Sequence, residues 1–262
     1  MMRWVVFTDL DGTLLDRDYS WQKAVPAVRA LREAGIPLVL NSSKTVAEMR
    51  VIRAELGLDS VCIAENGGVI EGINEGKMGG CSERDELVAL ATELRNERGF
   101  RFEGFVDWEV ERLMELTDLS REQALHSMER EATEPIIWLD SAERLQLFER
   151  LLREQGVKLV RGGQFRHLMR ADRDKGSAMG EVMSWYRKRE AGVRWGCMAL
   201  GDSPNDWPML ERADVAVQIP RLESTDAWLR WKHVRRGRMP GAAGWNVAIL
   251  DFLNELREEV QE

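Results

Sequence analysis

Hydrophobic and polar positions change their period several times along this chain, and each change marks an element. Residues 3–8 are an apolar, β-branched run that stops at an Asp-rich turn, which predicts a buried strand. Trp21, Val25, Val28 and Leu31 then recur at three- and four-residue steps, which predicts a helix over 21–34 closed by Gly35. A second strand is expected over 36–40, then a helix over 45–56 through Val46, Met49, Ile52 and Leu56 to Gly57. A third strand at 61–64 runs into the turn Asn66-Gly67-Gly68. Strand, helix, strand, helix, strand is the pattern of a parallel sheet with crossover helices.

From about residue 83 that rhythm is lost. Charged amphipathic helices are expected over 84–98, 108–116, 120–131 and 141–154, with short β-like runs at 136–139, 157–161 and 165–169. After residue 174 the order returns, as helix 175–189, strand 195–200, helix 206–212, strand 214–218 and a last helix over 243–259. The simplest architecture is α/β: a Rossmann-like parallel-sheet core from residues 1–80 and 166–262, with a smaller α+β insert over 81–165.

Composition narrows the function. At 262 residues, 44% apolar and 31% charged, the chain can bury a sizeable core and is not disordered. No run of 18 apolar residues exists, and the apolar stretch Trp4–Phe7 is too short for a signal-peptide core. Cys62, Cys81 and Cys197 are isolated and lack CxxC spacing, which argues against a disulfide framework or a zinc site. The expectation is a reduced, cytoplasmic protein, monomer or homodimer, with no membrane partner. A net charge of −8 also disfavours nucleic acid. Residues 81–165 hold 19 acids and 12 bases, so the insert carries −7 of that excess. The basic run Lys232–Arg238 reads as a solvated loop, and the tryptophans read as core or edge packing.

Four polar clusters stand at the expected carboxyl ends of the core strands, where open α/β sheets bind ligands. The first is Asp9-Leu10-Asp11-Gly12-Thr13. Its two carboxylates could share a hard cation, Asp9 could act as a nucleophile, and Asp11 could move a proton. A capping turn is the plainer alternative. A calcium loop lacks the glycine and the glutamate it needs. The second cluster, Asn41-Ser42-Ser43-Lys44-Thr45, combines hydroxyls, a lysine and free helix amides suited to an anion, or else a simple N-cap. The third is Lys175, placed at a helix start where a cation is unfavourable unless a ligand or a solvated position explains it. The fourth is Gly201-Asp202-Ser203-Pro204-Asn205-Asp206, which alone could be an Asx-rich turn.

In this order and spacing, the four clusters resemble the motifs of the haloacid dehalogenase superfamily of phosphotransferases, over essentially the whole chain. The insert resembles that superfamily's C2-type cap. Gly104–Asp107, Glu111–Thr117, Arg130–Ile136, Gly162–Met169 and Gly241–Asn246 are similar to segments of mannosyl-3-phosphoglycerate phosphatases. Trp207 and the run Arg235–Arg238 depart from the recognised signatures. The resemblance implies hydrolysis through an aspartyl-phosphate on Asp9, with Asp11 as general acid and base. It implies Mg²⁺ held by Asp9, the Asp11 carbonyl and Asp202, with Asp206 direct or through water. Ser42, Ser43, Lys44, Lys175 and Asn205 would serve the phosphate and its loops. Arg130, Glu134, Arg166 and His167 would serve the substrate from the cap. Asn66 and Gly67 would face the cap hinge.

The implied substrate is mannosyl-3-phosphoglycerate, whose hydrolysis yields the osmolyte mannosylglycerate. Glucosyl-3-phosphoglycerate, another sugar phosphate such as sucrose phosphate, and a non-catalytic binding protein on the same fold stay open as alternatives. Because the substrate is anionic, the cap's acids are expected to face solvent while its motif arginines turn inward.

Overall fold

The computed structural model describes residues 2–73, 83–162, 164–221 and 233–259. Cys81, Trp228, Trp231 and Lys232 lie outside them. Along the chain the elements are β1 (Arg3–Thr8), α1 (Val25–Glu33), β2 (Leu38–Asn41), α2 (Val46–Leu56), β3 (Cys62–Ala64) and β4 (Val69–Glu71). Next come α3 (Glu83–Arg98), β5 (Phe102–Gly104), α4 (Val110–Leu116), α5 (Arg121–Met128), β6 (Glu134–Trp138), α6 (Ala142–Glu154), β7 (Val157–Arg161) and β8 (Arg166–Arg170). The chain ends with α7 (Lys175–Arg189), β9 (Trp195–Gly201), α8 (Trp207–Arg212), β10 (Val215–Gln218), β11 (Val234–Arg236) and α9 (Gly241–Glu259).

The large sheet has the order β11-β10-β9-β1-β2-β3-β4. Its strands are parallel except β4, which folds back on β3. Side-chain alternation along β1 sorts the core into two layers. Val6 packs with α1, α2 and α9 through Val28, Leu31, Met49 and Trp245. Val5 and Phe7 pack with α7 and α8 through Met179, Val182, Met209 and Leu210. This is the doubly wound α/β core expected from the sequence.

A second, antiparallel sheet has the order β5-β6-β8-β7. Its outer face packs on α3 and α6 through Leu87, Leu94, Phe148 and Leu152. Its other face carries α4 and α5, through Phe105, Trp108, Leu113 and Ala124. Here α5 reaches the core, where Thr45 Oγ1 at the start of α2 donates to the His126 carbonyl at 2.7 Å.

Three expectations change. A boundary at 165/166 splits the β7–β8 hairpin, because Arg161 pairs with Arg166 and β8 is central in the small sheet. The chain returns to the large sheet only through α7. The basic run is not a free loop either. Val234–Arg236 adds an edge strand beside β10, and α9 neutralises the arginines: Arg235 pairs with Glu255 at 2.7 Å and Arg238 with Asp251 at 3.3 Å. Finally, β6 starts at Glu134 rather than 136. Pro135, which reads as a strand breaker, is accommodated opposite His167.

Candidate active site

The carboxyl ends of β1, β2, β3 and β9 meet at one edge of the large sheet. Asp9 leaves β1 with its amide bonded to the Leu200 carbonyl at 2.9 Å. Behind it, the buried Trp245 indole donates to Thr8 Oγ1 at 2.9 Å, and that hydroxyl donates to the Asp9 carbonyl at 2.7 Å. The carboxyl-terminal Gly241–Asn246 segment thus braces the loop that presents Asp9. It does so again through Asp16 Oδ1, which accepts from the Ala242 amide at 3.1 Å, while Asn246 Oδ1 accepts from the Ala27 amide of α1 at 3.0 Å.

Lys175 answers the question its position raised. It is fully buried, and its Nζ donates to Asp9 Oδ1 and Asp206 Oδ1, each at 2.7 Å. These two carboxylates raise its pKa against the cost of burial, so the ammonium is retained. The second oxygen of Asp206 accepts from the Asp202 and Ser203 amides at 3.0 and 2.9 Å. Asp206 therefore holds both the lysine and the loop after β9. Asp202 is buried and has Arg221 at 3.3 Å.

Three buried carboxylates, Asp9, Asp202 and Asp206, offer ligand atoms within 4.8 Å of one another. Burial raises the pKa of Asp9 well above the usual range and that of Asp202 to about 7, and the charge of Asp206 adds to both. The buried Lys175 and the half-exposed Arg221 bring two positive charges to these three groups. A hard divalent cation fits this oxygen cluster. A side chain at Gly12 would collide with it, because a Cβ there would lie 2.6 Å from Asp202 Oδ2 at a backbone φ of +79°.

The second cluster lies alongside. Ser42 is buried, and its Oγ accepts from the Lys44 amide at 3.3 Å. Lys44 Nζ pairs with Asp11 at 3.2 Å, stands 3.9 Å from Glu48 and sits 5.0 Å from the centre of the Tyr19 ring. Those carboxylates raise its pKa despite burial. Asp11 is about half exposed, with 47% of its side-chain surface accessible, and lines the cavities on both sides. Asn205 Nδ2 donates to Asn66 Oδ1 at 3.0 Å, which ties the fourth cluster to the turn after β3.

Between this edge and the cap lies a cleft of about 610 Å³. Its core wall includes Asp11, Tyr19, Ser43 and Lys44, and its cap wall includes Phe105, Arg130, Phe165 and His167. Arg130 donates to the Ser43 carbonyl at 3.3 Å and Thr133 Oγ1 at 2.9 Å, and it lies over the Phe105 ring. His167 is 5% exposed. Burial first, then the charge of Arg130, pushes its pKa down to about 3, so the ring is neutral.

Two other expected cap residues are not in the cleft. Glu134 is 1% exposed, and its carboxylate is bonded inside the cap to Arg84 Nε at 2.7 Å and the Val106 amide at 2.8 Å. Arg166 shares its strand face with Leu168, which packs in the α3–α6 core, whereas His167 takes the opposite face. The arginine expectation thus holds for Arg130 and fails for Arg166. Most of the cap's acids are exposed as expected, but Glu115 and Asp118 line the cleft.

Sequence reasoning missed Glu65 and Tyr19. Glu65 precedes the flagged Asn66-Gly67 turn, but nothing in its neighbours marks it as buried. Tyr19 sits at φ +59° between the two cavities, and only its place in an Asp-rich turn hinted at this.

This fold and this strand-end constellation define a haloacid dehalogenase-like hydrolase. Residues 6–86 match the haloacid dehalogenase-like hydrolase family model. The chain belongs to that family, and it is a phosphatase. More particularly, it is 34% identical over 96% of its length to a Persephonella marina protein, 98% of which is covered. That relative is named glucosyl-3-phosphoglycerate/mannosyl-3-phosphoglycerate phosphatase. Among solved structures, a Thermoplasma acidophilum protein aligns with a TM-score of 0.69 at 19% identity, covering 96% of this chain and 99% of its own. The sucrose-phosphatase of Synechocystis, in complex with sucrose and phosphate, aligns at 0.62 and 16% identity, covering 96% and 98%. These last two likenesses are of fold. Among the described residues, no helix is long and apolar enough to cross a membrane.

Proposed function

We propose that this phosphatase hydrolyses a glycosyl-3-phosphoglycerate, mannosyl-3-phosphoglycerate first and the glucosyl ester as the alternative, through an aspartyl-phosphate on Asp9. The observation that carries the reading is the buried Asp9–Lys175–Asp206 cluster, two residues from Asp11, which lines a cleft together with Arg130 and His167. A 34% identical relative is named for both esters.

Phosphoryl transfer is chiefly positioning and charge stabilisation. Asp9, fixed by its amide bond to Leu200 and by the Trp245–Thr8 brace, is the nucleophile. Lys175 holds the Asp9 carboxylate and faces the transferred phosphoryl oxygens, with Ser42 and the amides of the 42–45 loop beside it. Asp11 protonates the leaving glycerate oxygen, then takes a proton from the attacking water. Lys44 Nζ stands 3.2 Å from its carboxylate. Asp9, Asp202 and Asp206, with the Asp11 main-chain carbonyl, would hold Mg²⁺, which would neutralise phosphate charge when bound.

On the cap side, Arg130 supplies the cation for the glycerate carboxylate. His167, neutral, offers one hydrogen bond to a sugar hydroxyl. Phe105 and Phe165 form an apolar wall, with ring centroids 5.1 Å apart. The cap is taken as residues 83–170 rather than 81–165, and closing it over the site would exclude water from the reaction.

The test is phosphate release from mannosyl-3-phosphoglycerate, glucosyl-3-phosphoglycerate, sucrose phosphate and p-nitrophenyl phosphate, with Mg²⁺ and with EDTA. The two glycosyl phosphoglycerates should be preferred, and EDTA should abolish turnover. Preference for sucrose phosphate would overturn the substrate assignment. Full activity in Asp9→Asn would overturn the mechanism.

A further inference from the structure

Glu65 is a fully buried carboxylate with no part in the chemistry above, and every bond its side chain makes crosses from the core to the cap. One oxygen accepts from the Glu131 amide at 2.8 Å. The other accepts from the Ala132 amide at 3.1 Å and from Thr133 Oγ1 at 2.7 Å, with Arg130 Nη1 at 4.0 Å. A carboxylate fully desolvated in this way has its bonding capacity met by one short cap segment, residues 130–133. That segment leads into β6 and carries Arg130 to the cleft wall.

The backbone around Glu65 is equally committed. Glu65 and Asn66 both adopt positive φ, +51° and +57°, a conformation that non-glycine residues hold only when their surroundings enforce it. The enforcing bonds come from the catalytic edge: the Glu65 amide donates to the Lys44 carbonyl and the Asn66 amide to the Ser42 carbonyl, each at 2.9 Å. Asn66 also accepts from Asn205. The next residue, Gly67, packs so tightly on the start of α7 that a Cβ would lie 2.2 Å from the Asp174 carbonyl oxygen. One four-residue turn therefore touches the second, third and fourth clusters and, through a single carboxylate, the cap.

We propose that Glu65 is a positioning residue that registers the cap on the catalytic edge and so sets where Arg130 stands in the substrate cleft. It touches neither substrate nor phosphate. Its effect passes through Thr133 and Arg130, which are bonded to each other at 2.9 Å. An ester whose far end reaches the cap then depends on Glu65, and one that ends near the phosphate does not. The substrate arm of this inference rests on the glycosyl phosphoglycerate reading; the geometric arm does not.

The experiment compares wild type, Glu65→Gln and Thr133→Val. Glutamine keeps one acceptor but turns an NH₂ towards donors, and Thr133→Val removes one cap partner and leaves Glu65 in place. The kinetic readout is KM and kcat for mannosyl-3-phosphoglycerate and for p-nitrophenyl phosphate. In Glu65→Gln, KM for the phosphoglycerate should rise at least about tenfold while kcat/KM for the small ester stays within about threefold, with Thr133→Val intermediate. The geometric readout is the spin-label distance distribution between the exposed positions Leu139→Cys in the cap and Val51→Cys in the core, in a Cys81→Ser background. It should broaden in Glu65→Gln.

An unchanged distance distribution overturns the proposal, as does a parallel fall for both esters. If wild type ignores the phosphoglycerates, the substrate reading fails. The distance arm and the sugar phosphate that is hydrolysed then decide the role of Glu65.

Discussion

Replacing His167 with glutamine should remove a defined slope from the pH dependence of stability. His167 is 5% exposed beside Arg130, and its folded pKa is about 3 against about 6.5 in an unfolded chain. Between those two values the unfolded chain binds a proton that the folded chain refuses, so wild-type stability falls as the pH drops through that window. Linkage sets the size at about 1.36 kcal/mol for each pH unit below 6.5, so about 2 kcal/mol is lost between pH 7 and pH 5. Above about pH 7 the residue adds no slope. Other groups titrate in both proteins and cancel in the difference between wild type and His167→Gln. Urea unfolding of both at about half-unit pH steps measures it: the stability difference should shrink towards low pH and level off above neutrality. The sequence has three histidines, so imidazole C2–H signals give an independent check. The signal missing from His167→Gln should keep its neutral shift down to about pH 4. A pH-independent stability difference, or a His167 signal titrating near 6.5, would refute the reasoning. It would mean that the ring is solvated or has a carboxylate partner.

Glu134→Ala should lower stability by about 3 kcal/mol, because it strands Arg84 inside the cap, yet leave KM for the substrate within about twofold; thermal unfolding with kinetics on folded protein checks both. Lys175→Met should abolish phosphate release and cost about 3 kcal/mol or more, as Asp9 and Asp206 lose their shared cation. Circular dichroism melts with an endpoint phosphate assay read these together. Gly67→Ala combines a φ of +96° with a Cβ 2.2 Å from the Asp174 carbonyl oxygen. It should destabilise by more than about 2 kcal/mol and reduce activity, whereas Gly99→Ala, also at positive φ but with open space around it, should retain activity.

The core was readable from sequence for a physical reason. Its strands are buried on both faces, so they appear as unbroken apolar runs, and helices with clear caps separate them: Thr45–Glu48 and Asp174–Ser177 each close a reciprocal capping box. Carboxylates placed straight after such runs must fall at one sheet edge. The elements that escaped notice are short or local exceptions. β4, β5 and β11 have three residues each, too few for a period to show, and β6 begins across a proline.

Within the cap the same reading breaks down, because the role of a polar residue there depends on strand alternation and register rather than on its neighbours in sequence. Arg166 and His167 are adjacent and share one motif, yet only His167 faces the cleft. Glu134 looks like a sugar ligand and is instead the buried partner of Arg84. Glu65 carries the reverse lesson. Its side chain matters because distant segments converge on it, and convergence leaves no trace in local composition. Lys175 lies between these cases. A cation at the start of a helix is unfavourable on its own, so its presence demanded a compensating charge. Asp9 and Asp206 supply that charge, and with Asp202 beside them the three carboxylates exceed the two cations they face, Lys175 and Arg221. The excess is the physical argument for a divalent cation. With the proposed cation bound, these carboxylates would no longer repel an anionic ester.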